Sequence, residues 1–378
     1  MAAREVTGQL LSTREPCVVR VGRGRIAAVS PAAGPVDRAD LALLAPGLLD
    51  IQVNGFEGWD FNADRPVPEA VGEVRDRLRA GCVTAFCPTV VTGPPEAMRE
   101  RLRAIATAVR ADRSLARAVP CVHLEGPFIS PEDGPRGAHP ADHVIPASRD
   151  AFATLQAAAD GLIGIVTLAP EVPGALDLTR RLAADGLVVA IGHTGASRSV
   201  IREAVMAGAR LSTHLGNGAH AMLPRHDNYL WEQLAADDLF ASIIVDGHHL
   251  PPPVVKSIVR AKGPERVILA SDAVHLAGLQ PGRYTFSGLD VDLLPSGRVN
   301  LAGTPYLAGS ALSLLDGVWN TARFAGIPLS QAWTMASTAP WRLLGRERDR
   351  GRISVGCAAD LVRLSLSGDG RPMPAGDQ

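Results

Sequence analysis

Four side chains with acid/base or metal-binding chemistry each follow a short run of β-branched and aliphatic residues. They are Glu125, His193, His214 and Asp272. Two imidazoles and one carboxylate are a common ligand set for a catalytic zinc ion, which keeps its fourth position for water. The remaining carboxylate, Asp272, is suited to take a proton from that water and return it to a leaving group. The four residues together predict a metal-dependent hydrolytic site.

Each of these residues also has an ordinary structural interpretation. A single histidine near a strand end is more often a polar residue whose hydrogen bonds are satisfied within the protein than a metal ligand. Asp272 could instead cap the segment that follows it. Three potential ligands and an aspartate, each after a different predicted strand, are harder to explain in this way. We therefore favour the metal site.

The elements that would position this site alternate between strand and helix from Ala45 onwards. Eight runs have strand composition, at 48–53, 83–87, 119–123, 163–168, 187–191, 210–213, 241–245 and 267–270. Segments with helical spacing lie between most of them, as at 69–80, 95–110, 175–185 and 198–207. Eight strands interleaved with helices predict an α/β fold, a (β/α)8 TIM-like barrel, whose chemistry lies at the carboxyl ends of the strands.

Both ends of the chain have strand character of another kind. Runs at 17–21 and 25–29 flank a Gly-Arg-Gly turn, and further runs occupy 352–355 and 360–364. We expect residues 1–44 and 345–378 to form a small β-sandwich domain beside a barrel of residues 45–344, with a β-hairpin inserted near 283–300. The Gly-, Pro- and Asp-rich tail from about Ser367 predicts disorder.

Composition excludes several kinds of partner. The 378 residues carry a net charge of −1 and only 20% charged residues, which argues against nucleic acid or an anionic membrane as a partner. No apolar run reaches the ~20 residues that span a bilayer, and the N-terminus lacks a secretory signal, so we expect a cytoplasmic protein. The five cysteines have no paired spacing, which favours buried free thiols over disulfides or a zinc ribbon.

Several motifs occur in the order typical of one family. They are Pro-Gly-Leu-Leu-Asp-Ile-Gln-Val-Asn-Gly at 46–55, His-Leu-Glu-Gly-Pro-Phe at 123–128, Gly-His-Thr at 192–194, Thr-His-Leu at 213–215, Asp-Gly-His-His at 246–249, Ser-Asp-Ala at 271–273 and Leu-Ala-Gly-Ser at 307–310. With these motifs the chain resembles the N-acetylglucosamine-6-phosphate deacetylases of the amidohydrolase superfamily. The resemblance extends from roughly Val18 to Val362.

The resemblance implies a role for each of the residues above. Glu125, His193 and His214 would hold the divalent metal, most simply zinc, although iron, cobalt or manganese also suit such a site. Asp272 would be the acid/base, and His139 would stabilise the oxyanion that forms as activated water attacks the acetyl carbonyl.

The resemblance also bears on the number of metal ions. Many amidohydrolases carry a His-x-His pair after the first strand for a second metal. Here Gln52 and Asn54 occupy those positions, and neutral amides are poor zinc ligands beside imidazole. We therefore expect one divalent ion per subunit.

The resemblance further implies that the substrate phosphate is bound by Asn217, Gly218, Arg225 and His249. It also implies a homodimer, in which Arg225 or His249 would reach across from a second subunit. The segment 216–228 departs from the family pattern by an extra glycine, by His220 and by the His-Asp-Asn that follows Arg225. Arg225 could therefore instead be a surface or interface arginine.

The expected reaction is deacetylation of N-acetylglucosamine 6-phosphate to glucosamine 6-phosphate and acetate. The unusual segment 216–228 leaves open an unphosphorylated or otherwise modified N-acetylated amino sugar. A cyclic-amide hydrolase is disfavoured because such enzymes usually need the His-x-His pair. A catalytically inactive sugar-binding barrel is also conceivable, but such relatives typically lose a ligand or the base, and this chain keeps Glu125, His193, His214 and Asp272.

Overall fold

The fold was analysed in a computed structural model, which describes residues 4–32, 41–286, 289–304 and 307–376. The strands, in chain order, are β1 (Arg4–Leu10), β2 (Pro16–Gly22), β3 (Arg25–Pro31), β4 (Leu43–Pro46), β5 (Leu48–Val53), β6 (Gly55–Phe56), β7 (Trp59–Asp60), β8 (Val83–Val91), β9 (Val122–Glu125), β10 (Ile163–Leu168), β11 (Val188–Ile191), β12 (Leu211–Ser212), β13 (Phe240–Ile243), β14 (Val267–Leu269), β15 (Gly282–Phe286), β16 (Leu289–Leu293), β17 (Val299–Leu301), β18 (Leu361–Leu366) and β19 (Pro372–Pro374).

Several helices begin beside a side chain that satisfies a free backbone N–H group. Ser148, Ser197 and Asn228 each accept a hydrogen bond from a backbone N–H in the first turn of the helices that begin at Arg149, Arg198 and Tyr229. The helices are α1 (Glu69–Ala80), α2 (Pro95–Ala111), α3 (Arg113–Ala118), α4 (Arg149–Ala158), α5 (Ala175–Ala184), α6 (Arg198–Met206), α7 (Tyr229–Ala235), α8 (Pro252–Lys262), α9 (Leu314–Ala325), α10 (Leu329–Met335) and α11 (Thr338–Leu343), with a short 3-10 helix at Ala141–His143.

Eight parallel strands form the barrel that the alternating pattern predicted. Their order is β5, β8, β9, β10, β11, β12, β13 and β14, so each strand lies beside the next in the chain. The ring is completed by a parallel bridge between Val53 and Ala273, where the Asn54 N–H donates to the Ala273 carbonyl at 2.8 Å. The predicted (β/α)8 fold is therefore confirmed.

The inside of the barrel is filled with apolar side chains. Alternate residues of the eight strands, such as Leu49, Ile51 and Ile165, form one buried apolar cluster with Trp341 and Leu343 of α11. A larger cluster packs the other face of the strands against the helices. Strands buried on both faces explain why their sequences are almost continuously apolar.

The strands of the two chain ends are joined in one separate sheet. Its order is β19, β18, β4, β1, β2 and β3, so that the C-terminal β18 pairs antiparallel with β4. A separate sheet unit built from both ends of the chain is confirmed.

Two expectations for the C-terminal segment were wrong. Residues 352–355 form no strand: positive φ angles at Gly351 and Gly356 turn the chain, and the Gly356 N–H donates to the Ile26 carbonyl. The described residues of the tail after Ser367 have a defined structure. The Ser367 N–H donates to the Arg371 carbonyl, the Arg371 N–H donates to the Ser367 hydroxyl, both at 3.0 Å, and β19 pairs with β18.

The segment near 283–300 contains the antiparallel strands β15, β16 and β17, which form a small sheet of their own. Its Val291, Leu293 and Val299 pack against Val274 and Leu276, directly after the catalytic aspartate candidate. Among the described residues, no helix is both long and apolar enough to cross a membrane. All five cysteines are buried and free, as their spacing predicted.

Candidate metal-dependent active site

The four predicted chemical residues lie at the carboxyl ends of barrel strands. Glu125 is the last residue of β9, whereas His193, His214 and Asp272 follow β11, β12 and β14 within three residues. The φ angles of these three are 51°, 30° and 49°, in the left-handed region that non-glycine residues rarely adopt. Such strained conformations persist where the surrounding structure enforces them, typically at functional sites.

Glu125, His193 and His214 meet at one point. Glu125 Oε1 lies 3.0 Å from the Nε2 atoms of both histidines, which are 3.1 Å from each other. A tetrahedral ion with ligands at about 2.0–2.1 Å requires ligand atoms about 3.3 Å apart, so this spacing is close to that of a metal site. All three residues are buried, and they form a group able to hold a metal ion.

The hydrogen bonds around His193 show why a cation fits. Its Nδ1 lies 2.9 Å from the carbonyl oxygen of Pro135, which can only accept, so Nδ1 carries the proton. With a metal ion bound, Nε2 would present its lone pair to the ion, beside the Glu125 carboxylate and the His214 imidazole. A divalent cation is the partner that satisfies this arrangement, and a carbonyl behind the ligand is typical of metal-binding histidines.

The charge state of Glu125 suits the same role. Burial raises the pKa of its carboxyl, but the hydrogen bonds and charges of His193 and His214 outweigh burial and hold the pKa well below its ordinary value. Glu125 is therefore ionised, as a ligand must be.

Asp272 lies at the same mouth of the barrel, outside the ligand cluster. Its Oδ1 accepts a hydrogen bond of 2.7 Å from Asn54 Nδ2. Burial and, secondarily, the charge of Glu125 raise the pKa of Asp272 to about 7, against the opposing effects of His214 and Asn54. A carboxyl whose pKa is near neutrality is suited to accept and return a proton.

Gln52 and Asn54 act as amide donors to the two carboxylates. Gln52 Nε2 donates to Glu125 Oε1 at 3.1 Å, while Asn54 holds Asp272. The two amides that we expected in place of a second metal's histidines thus hydrogen-bond to the carboxylates directly.

His123, a residue that our sequence reasoning did not single out, is buried beside the site and hydrogen-bonds to two other barrel strands. Its Nδ1 donates to the Ile51 carbonyl at 3.0 Å, so its Nε2 accepts from Thr167 Oγ1 at 2.7 Å. Thr167 in turn accepts from Thr213 Oγ1 at 2.7 Å. This chain of hydrogen bonds links β5, β9 and β10 to the residue before His214. Its sequence signal was the position of His123 two residues before Glu125, on the same face of β9.

His139 lies beside the metal-ligand candidates, in the loop that connects β9 to α4. Its Nε2 is 3.3 Å from His193 Nε2. Burial, together with the charge of His193, lowers the pKa of His139 to about 3, so its imidazole is neutral and keeps one N–H for donation. The structure thus brings the predicted oxyanion donor to the site.

The predicted phosphate-binding residues fall into two groups. Asn217 Nδ2 donates to the His214 carbonyl, and Gly218 lies so close to His193 that a Cβ on it would be 2.8 Å from Nδ1. His249 Nδ1 donates to Asp246 Oδ2 at 2.7 Å, and both side chains are largely buried. Arg225, in contrast, is exposed. Arg225 lies farther along the same loop as Asn217 and Gly218 but is exposed, whereas the other three residues are partly buried.

Comparison with known proteins supports the metal-dependent site that this geometry indicates. The sequence profile of the Amidohydrolase family matches residues 43–377. N-acetylglucosamine-6-phosphate deacetylase of Bos taurus is 38% identical over 336 residues, covering 86% of this chain and 80% of the relative. The chain belongs to this family of amidohydrolases. As a family member it is a metal-dependent hydrolase.

Other relatives in the family support the same assignment. N-acetylgalactosamine-6-phosphate deacetylase of Escherichia coli O157:H7 is 32% identical over 351 residues, with coverage of 92% of this chain and 90% of the relative. The solved structure of a Mycobacterium smegmatis N-acetyl-D-glucosamine-6-phosphate deacetylase variant, in complex with N-acetyl-D-glucosamine-6-phosphate, superposes with a TM-score of 0.86 at 28% identity. The superposition covers 98% of this chain and 97% of the Mycobacterium smegmatis chain.

Proposed function

We propose that this chain hydrolyses N-acetylglucosamine 6-phosphate to glucosamine 6-phosphate and acetate. The observation that carries the proposal is the convergence of Glu125, His193 and His214 on one point with Asp272 beside them, in a chain 38% identical to a deacetylase of that substrate. Asp272 and His139 are assigned the catalytic roles.

Glu125, His193 and His214 would hold one divalent ion, for which we propose zinc, with iron, cobalt and manganese as chemically reasonable alternatives. When bound, such an ion supplies an acidified water and polarises the substrate carbonyl. Gln52 keeps Glu125 oriented toward the histidines through its 3.1 Å hydrogen bond.

Asp272 moves the proton that hydrolysis requires. Its carboxylate takes a proton from the attacking water as the bond from oxygen to the acetyl carbon forms, and it then gives a proton to the amide nitrogen as the C–N bond breaks. Asn54 holds Oδ1 during both transfers. The neutral imidazole of His139 can donate its N–H to the carbonyl oxygen as negative charge builds there.

Asn217, Gly218, Arg225 and His249 are proposed to bind the phosphate. Asp246 fixes the His249 ring through Nδ1, which leaves Nε2 available to a ligand. Arg225 is exposed in a single chain, so we propose that it reaches the phosphate of a second subunit in a cytoplasmic homodimer.

A second substrate is favoured by the unusual segment 216–228, which would surround the 6-position of the sugar. Its extra glycine, His220 and the sequence after Arg225 suit an N-acetylated amino sugar with a different substituent, or without the phosphate. The galactosamine-type relative shows that stereochemistry at another ring position also varies among relatives.

Acetate release distinguishes these functions. The purified chain, with and without added zinc, is given N-acetylglucosamine 6-phosphate, N-acetylgalactosamine 6-phosphate and free N-acetylglucosamine. We expect the first to have the highest kcat/KM. A preference for the free sugar would support the second candidate, and no acetate from any sugar at any metal load would indicate an inactive binding barrel.

The number of metal ions is a separate prediction. Because Gln52 and Asn54 use their N–H groups on Glu125 and Asp272, we expect one tightly held ion per chain. Metal analysis of the active protein after gel filtration measures this ratio. Two tightly held ions per chain would contradict the assignment of these amides.

A further inference from the structure

His220 joins two loops at the mouth of the barrel. It lies in the segment between β12 and α7, and its Nε2 is 3.0 Å from Oε2 of Glu132, in the loop after β9. Its Nδ1 is 3.0 Å from the hydroxyl of Tyr229, the first residue of α7. The ring therefore links two loops whose residues are 88 positions apart.

Each ring nitrogen of His220 has a hydrogen-bond partner. The Tyr229 hydroxyl accepts from the His220 backbone N–H at 2.8 Å and donates its own proton to Nδ1. The Nε2–H then donates to the Glu132 carboxylate, which can only accept when ionised. Tyr229 is 4% exposed, whereas the His220 and Glu132 side chains are 31% and 64% exposed, so the contact extends from the interior to the surface of the barrel mouth.

The loop that carries His193 passes directly beneath this contact. A Cβ added at Gly195 would lie 3.0 Å from His220 Cε1 and 3.2 Å from Glu132 Oε2. The absence of a side chain at Gly195 thus helps the three loops to approach closely. His220, Glu132 and the segment after β11 thus pack as one unit.

The loop held by Glu132 carries groups that act on the metal-ligand candidates. Pro135, three residues on, provides the carbonyl that orients His193, and His139 reaches His193 Nε2 from the same loop. Arg136 strengthens the local fold through its hydrogen bond to the His139 carbonyl at 2.8 Å. Any displacement of this loop would therefore alter the orientation of His193 and the position of His139.

We propose that His220 is a positioning residue for catalysis, which fixes the 132–139 loop over His193 through Glu132 and Tyr229. This inference deepens the proposed function, since it gives a role in the hydrolytic site to a residue from the unusual segment 216–228. His220 does not contact the reacting atoms; it acts through the Pro135 carbonyl and His139.

The test uses four single variants of the full chain and the double variant that combines His220→Ala with Glu132→Ala. His220→Ala removes both ring contacts, and Glu132→Ala removes one partner. His220→Gln keeps a donor for Glu132 and an acceptor for Tyr229. His226→Ala changes an exposed histidine six residues away as the matched control.

The first readout needs neither metal nor substrate. In the metal-free protein, mass spectrometry follows the rate of tryptic cleavage after Arg136, which reports opening of the 132–139 loop. We expect about a tenfold faster cut in His220→Ala and Glu132→Ala, no further increase in the double variant, and near-normal rates in His220→Gln and His226→Ala. Unchanged cleavage in His220→Ala and Glu132→Ala would overturn the proposed restraint.

The second readout measures kcat, KM and the rate of zinc loss to a chelator. We expect His220→Ala to lower kcat and to speed zinc loss by about tenfold each, with His220→Gln restoring most of both. Faster cleavage with unchanged kcat and zinc loss would reduce His220 to a structural role. If the unaltered chain releases no acetate, the proposed function fails, but zinc loss and cleavage still test the role of His220.

Discussion

Asp272 is the residue whose chemistry can be isolated most cleanly. It is held by Asn54 and lies outside the cluster of Glu125, His193 and His214, so its replacement should not remove a metal ligand. Asparagine keeps the size and the hydrogen-bonding oxygen but cannot carry the transferred proton. For Asp272→Asn we expect kcat to fall by about 10²–10⁴, with the metal content of the purified variant unchanged. Normal acetate release, or loss of the metal, would contradict the role assigned to Asp272.

Asp50 predicts an effect of pH on stability. It is completely buried, its Oδ1 accepts from the Gln52 and Ser271 backbone N–H groups, and burial raises its pKa from 3.8 to about 6. The folded state therefore binds this proton more tightly than the unfolded chain. The stability that Asp50 contributes is present below about pH 4 and is lost as the pH rises through about 6.

The substitution Asp50→Asn removes this titration while keeping an oxygen for the two N–H groups. We expect the variant to gain stability relative to the unaltered chain as the pH rises from about 4 to about 7.5, by up to about 3 kcal/mol. Urea unfolding of both metal-free proteins across this range measures the difference. A difference that does not change with pH would show that Asp50 has an ordinary pKa.

Individual site residues could be predicted from the sequence where the pattern that marks them spans a few residues, but not where it joins distant parts of the sequence. Glu125 and His214 were identified because each follows an apolar strand, a pattern visible within a few residues. The contacts of His220 with Glu132, and of His123 with Thr167, join different loops or strands, and no local pattern encodes them. Arg225 illustrates the same limit, since the sequence left open whether it binds phosphate or lies on the surface, and only the fold shows that it is exposed.

At the scale of elements, the parallel strands determine which side chains share a layer. Thr167 on β10 is completely buried and lies between His123 of β9 and Thr213 beyond β12. Its hydroxyl donates to His123 Nε2 and accepts from Thr213 Oγ1. Both buried partners therefore depend on the Thr167 hydroxyl for a hydrogen bond.

Thr167→Val keeps the shape and removes the hydroxyl. Because His123 Nε2 and Thr213 Oγ1 would each lose a partner in the interior, we expect the free energy of unfolding to fall by about 1–3 kcal/mol. Thr167→Ser, which retains the hydroxyl, should lose less, and Thr154→Val on the exposed face of α4 serves as the control. Chemical denaturation measures all three. Equal stability of the Val and Ser variants would show that the hydrogen-bond chain is not important.

The sequence predicted the positions of helices and strands where the hydrophobic pattern agrees with burial in the fold, as in the barrel strands. They failed near the C-terminus for a physical reason. Residues 352–355 have strand composition, but the turns at Gly351 and Gly356 leave no neighbouring strand to pair with. The Gly- and Pro-rich tail has the composition of a disordered segment, yet β18 offers a free edge with which Pro372–Pro374 pairs. β18 is itself held by its pairing with β4, far away in the sequence, so the composition of the tail alone does not predict this pairing.

At the scale of the whole molecule, Arg350 connects the separate sheet to the barrel. Its side chain is 8% exposed and binds Asp360 Oδ2 through Nε and an Nη atom, at 2.8 and 2.6 Å, immediately before β18. Its other Nη atom donates to the Arg117 carbonyl of α3 at 2.7 Å. The guanidinium also lies over the ring of Trp341 in α11, at 4.3 Å from the ring centroid.

Arg350→Met should therefore weaken the attachment of the sheet more than the barrel itself. Methionine can replace the contact with Trp341, but it leaves Asp360 and the Arg117 carbonyl without their donor. Removing one partner of a buried pair costs about 3–5 kcal/mol, and since Asp360 is about a third exposed we expect about 2–3 kcal/mol. Calorimetry should show a lower Tm, with hydrogen exchange accelerated first in β18 and β4. Arg352→Met, which breaks a half-exposed pair with Glu347, should change Tm little. If both variants lost the same stability, or if exchange in Arg350→Met rose equally throughout the barrel, Arg350 would not be the link between the two parts.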